Sequence, residues 1–341
     1  MDPRADDLVV AWARLAAVFD DASARTGVVE RRITVAGRPV LLRFAGEGME
    51  AAVMPAFGHL PATTAPPELT VQIWDSASSG TRLPALPMMP IEIGSLVIPA
   101  LRRGALSFAY QATEKTASML DSDAAIGLFA VADAAAMHGY ERGSPLRAVL
   151  NWWLEGCGTP FVHSAAVARA GRPGVMLTGR GGSGKSTTSV ACQRAGLAYA
   201  GDDYVAVTIG AEGVPPSTHS LYRSAKLDRR HAFLLPSVAN PGESDKAVGF
   251  LDPVSPGFPL AGVVLPRVTG SPGSSWTSTS AGRALFALGP ASVLQLPGGG
   301  EATFHTVAAL ARRLPCFRLE LGTELDGVVT AMEEILEKVA G

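Results

Sequence analysis

The sequence predicts an α/β protein in two parts, with a β-rich α+β module in residues 1–144 and a domain of alternating strands and helices in residues 145–341. Three observations lead to this prediction. In the first part, apolar residues mostly recur with the period of two that β-strands require. In the second part, short apolar runs alternate with helical patterns, which is typical of a sheet covered by helices. A glycine-rich stretch, residues 179–187, lies between one such strand and one such helix.

The predicted elements of the first part begin with an amphipathic helix over residues 8–24, where large apolar side chains recur at helical spacing. The apolar period changes to two in residues 31–44, on both sides of a short turn, and this predicts a β-hairpin. Further strands are predicted at residues 69–75 and 105–110. We expect a separate N-terminal module whose role is to bind a substrate or a partner.

The predicted elements of the second part begin with a helix at Pro145, since proline is favoured at the first helical position. Long loops are expected in residues 210–260, which are rich in Pro, Gly and Ser, and the biased stretch 270–282 is expected to be mobile. The predicted strands are residues 161–168, 174–179, 197–209, 260–268 and 317–321, and the later predicted helices are residues 186–196, 303–313 and 326–339.

The composition of the chain argues against several classes of partner. The formal net charge is −2 and the pI is about 6.3, so no global charge favours nucleic acid or an anionic membrane. Acidic residues stand where a signal peptide would carry basic ones, and no apolar run is long enough to span a bilayer. The three cysteines are widely spaced, without a CxxC pair. We expect a soluble, cytoplasmic protein that binds neither nucleic acid nor membrane.

The glycine-rich stretch "GRGGSGKST" fits the pattern G-x-x-x-x-G-K-[ST], which is typical of a phosphate-binding loop. Glycines allow successive backbone N–H groups to point at phosphate oxygens, and the following helix adds positive potential. A lysine then contacts the β- and γ-phosphates, and a hydroxyl binds Mg²⁺. The alternative is a glycine-rich turn without a ligand. The predicted nucleotide-binding residues are Gly179, Arg180, Gly181, Gly182, Ser183, Gly184, Lys185, Ser186 and Thr187.

An acidic pair, Asp202 and Asp203, interrupts an apolar run soon after the loop. Only one short helix and a turn separate the pair from Lys185, so its strand is the next one along the chain. Two carboxylates beside a triphosphate can serve two purposes, since one can hold Mg²⁺ and the other can accept the proton of an attacking hydroxyl. A surface turn is the alternative. His163, in the strand before the loop strand, is either a site residue that contacts phosphate or tunes the acidic pair, or a packed or surface histidine.

In this order, the segments "HSAAV", "GRGGSGKST" and "GDDYV" resemble the catalytic domain of HPr kinase/phosphorylase, whose fold is akin to that of phosphoenolpyruvate carboxykinase. The layout is most similar to the HPr-kinase-like proteins of bacterial peptide biosynthetic clusters, some of them linked to lasso peptides. The resemblance covers about residues 145–340. It implies a P-loop kinase with ATP and Mg²⁺ as cofactors and a serine-type hydroxyl on a peptide or protein as acceptor, including a ribosomal precursor peptide. It also implies a homo-oligomer.

The resemblance implies a role for each matching residue. Lys185 corresponds to the phosphate lysine, Ser186 to the metal-binding hydroxyl, and His163 to the active-site histidine. Asp202 would be the general base and Asp203 the Mg²⁺ ligand.

Three further residues correspond less closely to the family. Arg223 and Lys226 stand where HPr kinases have an acidic metal-site segment, and residues 220–227 contain no Glu. They are candidates for phosphate or substrate contacts. Arg267 corresponds to an arginine that stabilises the transferred phosphoryl group. A solvated surface charge is the alternative for all three. The missing Glu brings HPr as substrate, and the reverse phosphorylase reaction, into question.

Two other functions remain open at this point. One is a kinase for a small molecule such as free serine. The other is a nucleotide-binding regulator that carries out no phosphotransfer, for which the first domain would be the output.

Overall fold

The computed structural model of the chain describes residues 3–87, 100–112, 115–239, 246–294, 296–298 and 300–340. It is a mixed α/β protein, as predicted, and it divides into two compact units. The first unit comprises Met1–Gly156 together with Leu296–Gly299, and the second comprises Cys157–Gln295 together with Gly300–Gly341.

The first unit contains a mixed sheet flanked by helices. In the described residues, the sheet has seven strands in the order β1-β2-β3-β7-β6-β5-β4. The strands are β1 (Val28–Val35), β2 (Arg38–Ala45), β3 (Leu69–Asp75), β4 (Leu101–Arg103), β5 (Leu106–Gln111), β6 (Thr116–Asp121) and β7 (Ile126–Val131). The helices are α1 (Pro3–Thr26), α2 (Glu47–Phe57), α3 (Ser76–Ser79), α4 (Gly139–Gly143) and α5 (Arg147–Gly156).

Helix α1 and the β1–β2 hairpin confirm two of the predictions for this unit. One face of α1 is buried, and its Phe19 ring lies edge-on to Trp74 of β3, with the ring centroids 6.0 Å apart. The hairpin turns at Ala36 and Gly37, which both have positive φ, as the common two-residue turn requires.

Helix α5 belongs to the first unit, whereas the sequence placed it in the second domain. Its Val149 packs so closely on strand β7 that a Cβ added to Gly127 would lie 2.5 Å from Val149 Cγ1. The buried indole of Trp152 donates a hydrogen bond of 2.6 Å to the Pro297 carbonyl, which explains why this short later segment joins the first unit.

Among its described residues, the second unit is built around a nine-stranded mixed sheet, with a separate two-stranded sheet of β14 and β15. The strands are β8 (Phe161–Val162), β9 (Ala165–Ala168), β10 (Gly174–Leu177), β11 (Ala198–Gly201), β12 (Val205–Thr208), β13 (Ser217–His219), β14 (Ser224–Asp228), β15 (Lys246–Phe250), β16 (Gly257–Val268), β17 (Ser275–Thr279) and β18 (Cys316–Leu321). The helices are α6 (Lys185–Arg194), α7 (Ala281–Val293), α8 (Glu301–Arg313) and α9 (Leu325–Ala340), with a 3₁₀-helix at Arg229–Leu234.

Strand β10 is buried on both faces. Val175 and Leu177 pack into one apolar cluster with α6 and α9, whereas Met176 packs into another with α7 and α8. Successive strand residues point to opposite faces, so this alternation places helices on both sides of the sheet. Strand β10 pairs in parallel with β16, and β16 pairs in parallel with β18. The core therefore fixes the strand that leads directly into the glycine-rich loop.

The expectation of a mobile stretch at residues 270–282 is wrong in part, because residues 275–279 form strand β17 against β18. Trp276 anchors this strand, since its Nε1 donates to Glu334 at 2.8 Å and its ring lies edge-on to Phe317. The described residues of the region 210–260 likewise include strands β13, β14 and β15, the start of β16, and the 3₁₀-helix among its loops. Within the described residues, no helix is both long and apolar enough to cross a membrane.

Candidate active site

The glycine-rich loop joins the end of strand β10 to the start of helix α6, in the strand–loop–helix order that the sequence predicted. Gly184 immediately precedes the helix and has a φ of 103°, a left-handed conformation that favours glycine. A Cβ added there would also come within 2.2 Å of the Leu321 Cδ1 atom. The first N–H groups of α6 have no intrahelical partner, so this end of the helix favours an anion.

Lys185 is buried within this loop, with 6% of its surface exposed. Its Nζ atom donates hydrogen bonds to the carbonyls of Gly179, at 2.6 Å, and Arg180, at 3.3 Å. Burial lowers the pKa of the Lys185 ammonium, although the charges of Asp202 and Asp203 oppose this change. The loop thus holds an ammonium group at its centre, on carbonyl partners that an anionic ligand can replace.

The rest of the loop is more accessible. Its tip, formed by Arg180, Gly181 and Gly182, is exposed, and Ser183, Ser186 and Thr187 are half-buried. The Arg180 guanidinium lies 6.0 Å from the centroid of the Phe286 ring on α7. All nine predicted nucleotide-binding residues are therefore in one continuous loop and first helical turn.

The acidic pair lies between strands β11 and β12, so the single strand predicted here is divided into two. Asp202 is 1% exposed, and its Oδ2 atom accepts a hydrogen bond of 3.1 Å from the Lys226 amide. Burial raises the pKa of Asp202, and the charge of Asp203 raises it further, while the side chain of Ser186 interacts with the carboxylate and opposes the shift. The other oxygen, Oδ1, is buried without a hydrogen-bond partner in the described structure.

Asp203 has a different environment from its neighbour. Its carboxylate contacts Lys226 Nζ at 2.6 Å and His163 Nε2 at 3.1 Å, and 21% of its side chain is exposed. Burial would raise the pKa of Asp203, but Lys226 and His163 outweigh burial and hold that pKa below its ordinary value. Its φ of 69° is uncommon outside glycine, and such backbone strain clusters at functional sites. The structure therefore brings His163 and Lys226 together on the second aspartate.

The two predicted arginines have partners outside this cluster. Arg223 lies 3.7 Å from Asp252 and 5.7 Å from the Phe250 ring centroid. Arg267 lies in β16, and its 70%-exposed side chain pairs with Glu320 at 3.8 Å. Of the three residues that matched the family less closely, Lys226 contacts the acidic pair directly, through Asp203.

Sequence reasoning did not select His231, which the structure places beside the loop. Its Nδ1 atom lies 3.3 Å from the Thr187 Oγ1 atom. Burial lowers the pKa of His231, as do the charges of Arg230 and Lys246. His231 lies 44 residues after Thr187, in a region that the sequence reads as loops. The run "RRH" at residues 229–231 was the one local signal, and it is typical of any solvated basic stretch.

The predicted Mg²⁺ position can be tested against the residues present. No group of three or more His, Cys, Asp and Glu side chains suited to a metal occurs in the described part of the chain. Mg²⁺ does not require one, since it usually binds through one or two carboxylates together with phosphate oxygens and water. The unpartnered, buried Oδ1 atom of Asp202 beside Ser186 is a suitable oxygen ligand. The residues therefore fit Mg²⁺ in the presence of a phosphate ligand.

The site as a whole combines an anion-favouring loop, a buried ammonium and two carboxylates with different electrostatic environments. This combination suits a ligand that carries several phosphates and a metal ion. No protein-family profile matches the chain, and no curated protein matches it significantly. The chemistry of the site is therefore argued from its own residues.

Proposed function

We propose that this protein is an ATP- and Mg²⁺-dependent kinase that phosphorylates a serine-type hydroxyl on a peptide or protein, with an HPr-kinase-like P-loop fold in its second unit. The observation that carries the proposal is the proximity of the loop to the acidic pair. Lys185 lies within electrostatic reach of both Asp202 and Asp203, and Ser186 interacts with Asp202. A phosphate donor bound in the loop would therefore lie beside carboxylates that can bind Mg²⁺ and accept a proton.

On the donor side, the loop N–H groups and Lys185 would hold the phosphates. In the described structure the buried ammonium donates to two loop carbonyls, and a phosphate oxygen can replace either of them as acceptor. Ser186 and a carboxylate of the pair would hold Mg²⁺, which supplies neutralisation of the β- and γ-phosphate charge.

On the acceptor side, the two aspartates are suited to different tasks. A raised pKa makes Asp202 the better proton acceptor, since a base works best when its pKa is near the working pH. Asp203 stays ionised because Lys226 and His163 stabilise its charge, so it suits a permanent electrostatic role. The interaction with Ser186 also places Asp202 next to the expected metal hydroxyl. The geometry thus supports Asp202 as base, as metal ligand, or as both.

The test compares Asp202→Asn with the wild-type protein. We expect the variant to bind Mg²⁺-ATP and to transfer phosphate at least about 100-fold more slowly, which is the usual contribution of a positioned base. If ATP affinity falls together with Mg²⁺ affinity, Asp202 is a metal ligand. Asp123→Asn, in an exposed hairpin turn of the first unit, is the matched control and should retain full activity. Normal turnover by Asp202→Asn would refute the assignment.

The acceptor is identified separately. The protein is incubated with Mg²⁺-ATP and either a serine-containing peptide library or free serine, and the products are analysed by mass spectrometry. Phosphopeptides support the proposal, whereas phosphoserine alone indicates a small-molecule kinase. Tight ATP binding without any phosphorylated product indicates a regulator. We also propose a homo-oligomer in the cytoplasm, which sedimentation and fractionation can test.

A further inference from the structure

The 3₁₀-helix Arg229–Leu234 presents an exposed aromatic ring next to the glycine-rich loop. His231 contacts Thr187 on the first turn of α6, at 3.3 Å between Nδ1 and Oγ1. The Phe233 ring lies edge-on to the His231 ring, with centroids 6.4 Å apart, and Phe233 is 68% exposed. Single exposed phenylalanines are common on protein surfaces. Phe233 differs because it contacts His231, which in turn contacts Thr187 at the end of the loop.

Ser186 and Thr187, in the first turn of α6, contact different parts of the second unit. Consecutive helix residues are about 100° apart around the axis, so Ser186 and Thr187 project differently. Ser186 interacts with Asp202, whereas Thr187 contacts His231. A triphosphate whose terminal group lies beside the acidic pair would therefore have its other end on the Thr187 side.

The spacing along the chain allows for a nucleotide in this direction. Strand β14 carries Lys226, which contacts Asp203, and it continues directly into the 3₁₀-helix with His231. Three strand residues and two 3₁₀ residues span about 14 Å. The chain thus carries the aromatic ring away from the acidic pair, towards the side of α6 on which His231 contacts Thr187.

We propose that the 3₁₀-helix is the nucleoside subsite, with the base stacked on Phe233 and the sugar and α-phosphate beside His231 and Thr187. This inference rests on the proposed function, because it requires a nucleoside triphosphate in the loop. Every base presents a π-face, and stacking on an aromatic side chain is largely independent of base identity. The subsite therefore selects nucleotides over inorganic polyphosphates, without a strong preference among bases.

The charged side chains around His231 favour a phosphate group at this position. Lys246 is close enough to influence both Lys185 and His231, and Arg230 influences His231. Asp228, which faces the same group, is engaged by Arg230 at 3.1 Å. Two cations and one carboxylate therefore act on His231, and this balance favours an anionic ligand beside its contact with Thr187.

The experiment compares two ligands, Mg²⁺-ATP and Mg²⁺-triphosphate, by calorimetric titration of the full-length protein. Phe233→Ala should weaken ATP binding by about 5- to 100-fold, the range expected for loss of one stacked base, and should leave triphosphate binding unchanged. Phe304→Ala is the matched control, because Phe304 is also an exposed ring next to a histidine, but on α8. Phe233→Trp should retain affinity, and ATP but not triphosphate should quench the added fluorescence.

The outcomes separate this inference from the proposed function. Equal affinity of the wild-type protein for ATP and triphosphate, or an unchanged ATP affinity in Phe233→Ala, would overturn the subsite and leave the kinase standing. A raised KM for a peptide acceptor with normal ATP affinity would also overturn it and assign Phe233 to the acceptor. Failure of the wild-type protein to bind either ligand would overturn both proposals.

Discussion

Replacing Gly184 with alanine tests whether the backbone of the glycine-rich loop is as constrained as the structure indicates. The substitution adds one methyl group at the residue that precedes α6, without changing charge. Two physical effects are expected, because φ is 103° and the new Cβ would lie 2.2 Å from Leu321 Cδ1. Leu321 is 4% exposed, so its side chain has little free space into which to move.

The magnitude follows from these two effects. A side chain in this part of φ/ψ space costs about 1–3 kcal/mol. Overpacking by one methyl group in a well-packed region costs about another 1–3 kcal/mol. The free energy of unfolding should therefore fall by about 2–6 kcal/mol in Gly184→Ala, unless the loop relaxes. Relaxation would move the N–H groups at the start of α6 and weaken ATP binding instead.

Urea unfolding and ATP titration of the same samples measure both consequences. Gly181→Ala is the control, since a Cβ at Gly181 would meet nothing within 4 Å. In the double variant with Leu321→Ala, the cost should be smaller than the sum of the single costs, because the methyl group no longer overlaps a neighbour. The reasoning fails if Gly184→Ala unfolds at the wild-type urea concentration and binds ATP normally, or if Gly181→Ala is equally affected.

Two other predictions concern charge and burial. Asp203→Asn should lower the free energy of unfolding by about 2–4 kcal/mol at pH 7, because Lys226 loses its buried ionised partner, and Asp123→Asn should not. Because the pKa of Asp203 is lower in the folded protein, its contribution is complete above about pH 5 and is lost progressively as the pH falls. Urea midpoints should therefore depend less on pH in the variant between about pH 5 and 2. Burial raises the pKa of the Cys192 thiol to about 12. Iodoacetamide at pH 8 should therefore modify the half-buried Cys157 first and reach Cys192 only in urea. Equal modification rates of the two cysteines in the native protein would contradict this.

The features that the sequence predicted correctly depend on neighbouring residues. The strand, the loop and helix α6 follow one another directly, and each is encoded by a short local pattern. The acidic pair was recognisable because charged residues rarely interrupt an apolar run without a reason. The β1–β2 hairpin was likewise encoded by alternation on both sides of a short turn.

The features that the sequence could not predict depend on contacts between distant segments. The amphipathic pattern of α5 shows that one face of the helix is buried, but it does not show which unit covers that face. The close packing of Val149 on Gly127 places the helix in the first unit. His231 reaches Thr187 only because the 3₁₀-helix folds back onto α6. The roles of Arg223 and Arg267 were taken from a resemblance, and their guanidinium groups lie 3.7 Å from Asp252 and 3.8 Å from Glu320, two residues outside the quoted motifs.

The hydrogen bond from Trp152 to Pro297 has a consequence for how the protein is made. The two residues are 145 positions apart, and the chain between them builds most of the second unit. At a synthesis rate of about 5–20 residues per second, the ribosome adds Pro297 about 7–30 s after Trp152. The part of the first unit before Gly156 therefore leaves the ribosome before its last partner exists, and it completes its interior only after most of the second unit has been made. A fragment that stops at Gly156 would remain permanently at that unfinished stage.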